Sequence, residues 1–235
     1  MSSICIIPAR GGSKRIPKKN IRDFLGLPII QRSINSALAS DCFTDVIVST
    51  DDPEIASIAL SSGASVPFIR PSSISDDFTG TNAVIQHAIT TLNLLQEGVQ
   101  QVCCLYATAP FLIPEDFIEI KRLFMHYQCK YPAFTACAYS SPIQRSFNID
   151  DSGLSVPLDI SSYETRSQDL TDYFFDAGQL YIASPLQWMN DPVFTSKAIP
   201  YCLDKWRVQD IDTPDDWLKA ELLYKVLQQS KFLTI

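Results

Sequence analysis

Short apolar runs with no polar alternation occur at residues 4–7, 46–48, 66–69, 101–106 and 133–138, and between them apolar residues return at helical spacing. A strand that is apolar on both sides must be covered on both faces. The rhythm therefore predicts an α/β fold with a mostly parallel, Rossmann-like sheet and helices on both faces. Helical patterns cover residues 29–38, 82–95, 114–127 and 215–229, the last with Trp217, Leu218, Leu222 and Val226 on its apolar side. Another begins around Asp51-Asp52-Pro53, with Asp51 as its cap and Pro53 in its first turn, and stops at Gly63. Runs at residues 178–183 and 198–203 add two further strands. In such a sheet, ligands lie beyond the carboxyl ends of the strands.

The rhythm fails between Ser140 and Asp176, where Pro142, Gly153 and Pro157 stand among many Ser, Asp and Tyr residues. A chain of 235 residues holds one large α/β domain with a small insertion more readily than two equal domains. The expected division is one α/β domain from residues 1–139 and 177–235, with 140–176 as an inserted excursion. There is no repeat and no low-complexity tract.

The formal net charge is -7, which argues against a general attraction to nucleic acid or anionic lipid, so any anion must be bound locally. No apolar run approaches the roughly 20 residues of a membrane span, and a cytoplasmic location is expected. The seven cysteines include no C-x-x-C pair and no histidine at zinc-ligand spacing. Cys5, Cys103 and Cys137 fall within apolar runs and read as core filler in a reducing compartment. Neighbours on a strand point to opposite faces, so Cys103 and Cys104 are not a redox couple.

Against this acidity stands PARGGSKRIPKKN, residues 8–20, with five cations and two glycines between the first strand and the first helix. Glycines there let backbone N–H groups approach an anion, and Arg10, Lys14, Lys18 and Lys19 supply charge. It matches neither G-x-x-x-x-G-K-[ST] nor G-x-G-x-x-G; phosphate binding and a solvated basic loop both stay open. Asp210 and Asp212 project to one side of an extended segment, which suits Mg²⁺ shared with substrate phosphates. Asp212-Thr213-Pro214 is also a good helix start, and the metal reading gains its weight from the basic loop in the same chain. The polar loop RPSSISDDFTGT, residues 70–81, is open between a capping and a ligand role. His87 and His126 lie within helical patterns without a nucleophile beside them and read as structural; no G-x-S-x-G occurs.

Four stretches in this order, IIPARGGSKRIPKKN, VSTDD, RPSSISDDFTGT and QDIDTPDDW, resemble the cytidylyltransferases that activate nonulosonic acids. These are the CMP-sialic acid synthetase group, with the CMP-Kdo synthetases as more distant relatives. Within the group, SDDFTGT, LYATAPF and DAGQLY resemble most the members acting on pseudaminic acid. Sialic acid members carry Gln-Pro-Thr-Ser-Pro where this chain has Tyr106-Ala107-Thr108-Ala109-Pro110, and Asn-Gly-Ala where it has Asp176-Ala177-Gly178.

The resemblance implies a sheet of the nucleotide-diphospho-sugar transferase type. It implies that Arg10, Ser13, Lys14, Lys19 and Asn20 hold the triphosphate and ribose of CTP, with the Ala9 backbone beside the base, and that Arg70 and Thr81 read cytosine. Asp210 and Asp212 match the Mg²⁺ carboxylates; Tyr106, Arg166, Gln179 and Tyr181 match the sugar-acid side; Arg10, Lys14, Lys19 and Asp212 carry the catalytic charge. The excursion corresponds to a homodimerisation segment reaching toward the partner's site. The implied reaction is attack of the sugar's anomeric hydroxyl on the α-phosphorus of CTP, with loss of pyrophosphate. The alternatives are the same reaction on N-acetylneuraminic or legionaminic acid, and a non-catalytic CTP-binding protein.

Overall fold

The structure is a computed structural model and describes residues 2–190 and 197–230. In chain order it runs β1 (Ser3–Pro8), a tight hairpin of β2 (Asp23–Phe24) and β3 (Leu27–Pro28), α1 (Ile29–Ala39), β4 (Asp45–Ser49), α2 (Pro53–Ser61) and α3 (Thr81–Thr91). There follow β5 (Gln101–Leu105), α4 (Pro114–His126), β6 (Ala133–Ala138), a second hairpin of β7 (Phe147–Ile149) and β8 (Ser155–Pro157), and β9 (Phe174–Ala183). The chain closes with α5 (Pro185–Asn190), β10 (Ile199–Cys202) and α6 (Pro214–Gln229).

Six strands form one sheet in the order β10-β6-β9-β5-β1-β4. β1 lies parallel to β4 and β5, and β10 parallel to β6; β9 runs antiparallel to both of its neighbours. The sheet is thus mostly parallel and covered on both faces, as the unbroken apolar runs require. Cys5, Ile7, Val48, Cys103 and Leu105 face α1, α2 and α4, while Ile4, Ile6, Val102 and Cys104 face α3 and the buried Trp188 of α5. Cys103 and Cys104 accordingly point to opposite faces, and all seven cysteines are free; Cys202 is exposed rather than core.

Four local expectations change. Residues 66–69 form no strand: only two isolated bridges, Ile47 to Ser65 and Thr50 to Ile69, join this stretch to the sheet edge, and Pro67 has no N–H to give a ladder. The cap of α2 is Asp52, whose carboxylate accepts from Glu54 N (2.8 Å) and Ile55 N (3.2 Å); Asp51 is left for another task. The buried face of α6 is Trp217, Ala220, Tyr224 and Leu227, whereas Leu218, Leu222 and Val226 are exposed. Finally, β9 begins at Phe174, well before the expected residue 178.

Trp217 and Tyr224 meet Phe24 edge-on at 5.5 and 5.4 Å, so α6 packs on the β2–β3 hairpin. Ile16 and Ile211 are buried in the same cluster, which seats the basic loop and the segment before α6 on one apolar base. Between β6 and β9 the chain leaves the sheet, and all six strand residues of the β7–β8 hairpin are exposed. Among the described residues, no helix is long and apolar enough to cross a membrane.

Candidate active site

β1 ends at Pro8, and the loop that follows is held at each step. Buried Ala9 donates its N–H to Ser49 O (2.9 Å), and Gly11 donates its N–H to the Asp51 carboxylate (3.0 Å). A Cβ on Gly11 would fall 2.5 Å from Oδ2 of Asp52 and 2.9 Å from its Cβ, so this close approach requires glycine. Asn20, itself buried, closes the loop by donating from Nδ2 to Arg10 O (3.0 Å). With its backbone folded inward in this way, the loop turns Arg10, Lys14, Arg15 and Lys19 toward one cavity, whereas Lys18, expected to share in the anion charge, pairs with Glu54 of α2 instead.

The other wall comes from the far end of the sequence. Lys19 Nζ donates to Ile211 O (2.7 Å) and to Asp212 Oδ1 (3.2 Å), and Arg15 pairs with Asp212 Oδ2 (2.9 Å). Thr213, not Asp212, caps α6: its hydroxyl accepts from Asp216 N (3.2 Å), while Asp216 accepts from Thr213 N (2.8 Å). The Asp212 carboxylate is therefore available to the cations. Surrounding protein raises the Asp210 carboxyl above its ordinary range, with the like charge of Asp212 the second cause.

Arg70 is 3% exposed, donates from Nε to Ser75 Oγ (3.2 Å), and has its Nη2 3.7 Å from Asp51 without a hydrogen bond. Burial pulls this guanidinium below its usual range, and the facing Asp51 acts against that. A buried cation with an open donor invites an oxygen from a ligand. Within the 70–81 loop no side chain caps α3, whose N-cap is Gly80. Asp77 instead pairs with Arg10 (2.5 Å) and with Lys14.

These groups surround a cavity of about 240 Å³ lined by Arg10, Ser13, Lys14, Lys19, Asn20, Arg70, Thr81, Tyr106 and Asp212, together with Arg15, Thr79 and Thr108. The Tyr106 and Thr81 hydroxyls lie 3.0 Å apart on its wall. The remaining expected site residues lie elsewhere. Ala9 and Asp210 are not part of the lining. Gln179 is buried behind it, donating from Nε2 to Arg207 O (3.0 Å) with its Oε1 unpartnered. Tyr181 is buried too; its hydroxyl donates to the Asp176 carboxylate (3.0 Å), its ring centroid is 5.5 Å from that of Tyr106, and burial raises its phenol. Arg166 is exposed on the excursion and pairs with Asp169 (2.7 Å).

Asp51, expected only as a helix cap, and Arg15, Asp77, Thr79, Thr108 and Arg207, not singled out from the sequence, line or support the site. Asp51 had a usable signal, because it follows the strand that lies next to β1 in the sheet. Arg207 donates to Phe111 O (3.1 Å) and to the buried Asp116, which also accepts from Ile113 N (2.8 Å) and Tyr201 OH (3.0 Å). This network fastens the segment leading to Asp210 onto the loop after β5.

The donor chemistry fits a hard divalent cation only in part. The charge of Asp212 adds to the rise that burial causes in the Asp210 carboxyl, which a cation would relieve, yet no cluster of three or more His, Cys, Asp or Glu that could hold a metal occurs among the described residues. Two carboxylates leave the rest of a coordination shell to substrate oxygens and water. Cations on one wall, the Asp212 carboxylate at the other and an open buried guanidinium suit the binding of a polyphosphate with a polar base.

A family model described as cytidylyltransferase matches residues 4–212. The chain is 43% identical over 233 residues to the pseudaminic acid cytidylyltransferase of Campylobacter jejuni subsp. jejuni serotype O:2, covering 99% of this chain and all of that one. It is 32% identical to the CMP-N,N'-diacetyllegionaminic acid synthase of Legionella pneumophila, covering 98% of this chain and 99% of that one. Among solved structures, a CMP:2-keto-3-deoxy-manno-octonic acid synthetase complexed with CTP superposes with a TM-score of 0.71 at 17% identity, covering 96% of this chain and 99% of that one.

Proposed function

The chain belongs to the cytidylyltransferase family, and on that premise we propose that it transfers CMP from CTP to the anomeric hydroxyl of a nonulosonic acid, pseudaminic acid, releasing pyrophosphate. The observation that carries this reading is the cavity itself, where a glycine-rich cationic loop and Asp212 meet from opposite ends of the chain.

In this reading Arg10, Lys14 and Lys19 hold the triphosphate and offset charge that shifts toward the leaving pyrophosphate. Asn20 and Ser13 fix the loop and the ribose beside it. Arg70 offers Nη2 to a base oxygen, and Thr81 offers its hydroxyl on the same side. Fixed donors aimed at developing charge are worth about 10²–10³ in rate each, and Lys19, tied to Ile211 and Asp212, is the most firmly oriented of the three. Asp210 and Asp212 would hold Mg²⁺, which when bound neutralises phosphate charge.

Tyr106 begins the sugar side, and Tyr181 and Gln179 support it from β9. Arg166 does not line the cavity of its own chain and sits on an excursion rich in exposed apolar residues; this supports a homodimer in which Arg166 faces the partner's cleft. The test is to incubate the protein with CTP, Mg²⁺ and, separately, pseudaminic, N,N'-diacetyllegionaminic and N-acetylneuraminic acid, and to detect the CMP-sugar by mass. Product with pseudaminic acid is expected. Product with only one of the other acids would replace the sugar assignment, and CTP binding without product from any acid would overturn the enzymatic reading.

A further inference from the structure

Two adjacent acids in the 70–81 loop do different things. Asp76 folds its loop: its Oδ1 accepts from Phe78 N (3.0 Å), Thr79 N (2.7 Å) and the Thr79 hydroxyl (2.7 Å). The turn presents the next carboxylate, Asp77, to the mouth of the cleft. There Oδ1 meets Arg10 Nη1 (2.5 Å) and Oδ2 meets Lys14 Nζ, one oxygen for each cation. Phosphate oxygens would engage the same two groups in the same way.

We propose that Asp77 is a built-in anion that occupies Arg10 and Lys14 until the triphosphate of CTP displaces it, and that it recaptures them as pyrophosphate departs. The proposal rests on the reading that those two cations hold the triphosphate. A single carboxylate charge is a weak competitor for a polyanion, and the pairs are partly solvated, with the Asp77 side chain 30% and that of Lys14 79% exposed. Once the triphosphate is in place, like-charge repulsion drives the carboxylate out.

The loop is built to let it go. Among the described residues, the hydrogen bonds of residues 76–79 stay inside the loop, apart from those that Asp77 accepts from Arg10 and Lys14. Phe78, at its tip, is 94% exposed. Hydrogen bonds from Lys14 and then Arg10 hold the Asp77 carboxyl below the usual range, so the carboxylate is charged at neutral pH. The arrangement keeps both cations oriented while empty, and it shortens the stay of pyrophosphate at the cost of some affinity for CTP.

Calorimetric titration of CTP and of pyrophosphate, each with Mg²⁺, into the wild type, Asp77→Asn and Asp77→Ala tests this. Both ligands should bind the variants more tightly, by roughly twofold to tenfold for the loss of two exposed pairs. Unchanged or weaker binding of both ligands by both variants would overturn the proposal. Arg10→Ala is the control for the underlying reading. Weaker CTP binding in that variant sustains the reading whatever the Asp77 variants do, whereas wild-type binding would overturn the reading and the proposal together.

Discussion

In the cleft, side chains are tied across the whole sequence: Lys19 reaches Asp212, Arg207 reaches Asp116, and Arg10 reaches Asp77. Between β6 and β9 the ties are short. Arg145 donates to Ser162 O (3.4 Å) and Ser167 Oγ (3.1 Å), Asp150 binds Ser152 and Leu154, and Arg166 binds Asp169. The cleft buries its apolar anchors Ile16 and Ile211 beneath its charges, while the excursion exposes Ile149 and Ile160 by 71% and 75%. One region is preorganised by the sheet around it. The other folds on itself and leaves apolar surface exposed, which the second subunit of the proposed dimer would cover.

Breaking the long-range ties should cost most. Asp116→Ala strands Arg207, which is 9% exposed, without its carboxylate, and the loss should be about 3–5 kcal/mol by chemical denaturation. A loss of less than about 1 kcal/mol would show that the network does not fasten the cleft. Lys19→Ala should lower kcat by about 10²–10³. Its melting temperature should barely move, because the Lys19–Asp212 pair is partly exposed.

The same treatment of the excursion should separate assembly from folding. Phe147→Ser with Ile149→Ser, both on the exposed hairpin, should convert the proposed dimer to a monomer by sedimentation, with a per-chain stability change within about 0.5 kcal/mol. A dimer that persists would place the interface elsewhere.

The smallest effect concerns His87. Burial, and then the charge of Arg70, lower its pKa below 6.5, so the unfolded chain takes up the proton first as pH falls. Stability from this group is complete above about pH 6.5 and is lost as pH falls toward the depressed folded value. His87→Gln should flatten the pH dependence of unfolding in that window; an identical slope in both proteins would contradict the assignment.

Most of the sheet was legible because strands buried on both faces must be apolar throughout. The direction of β9 was not, since its composition would be the same in either orientation; nor was the failure of residues 66–69, although Pro67 marked it. Asp51 and Asp52 were interchangeable to the eye, yet Pro53 in the first helical position puts the cap at Asp52. In α6 two apolar stripes compete, and only packing against Phe24 decides that Trp217 and Tyr224 face inward. That the cationic loop and Asp212 come together was legible, because charge so concentrated in an acidic chain needs a counterpart. Asp77 was not, because its pairing with Arg10 and Lys14 spans more than sixty residues.

The cleft account is tested most directly by pyrophosphate release from CTP, UTP, ATP and GTP, each with Mg²⁺ and saturating pseudaminic acid. Release with CTP alone, abolished or reduced about 10²-fold or more in Lys19→Ala, is the predicted result. Equal release from UTP, or undiminished release in Lys19→Ala, would contradict it.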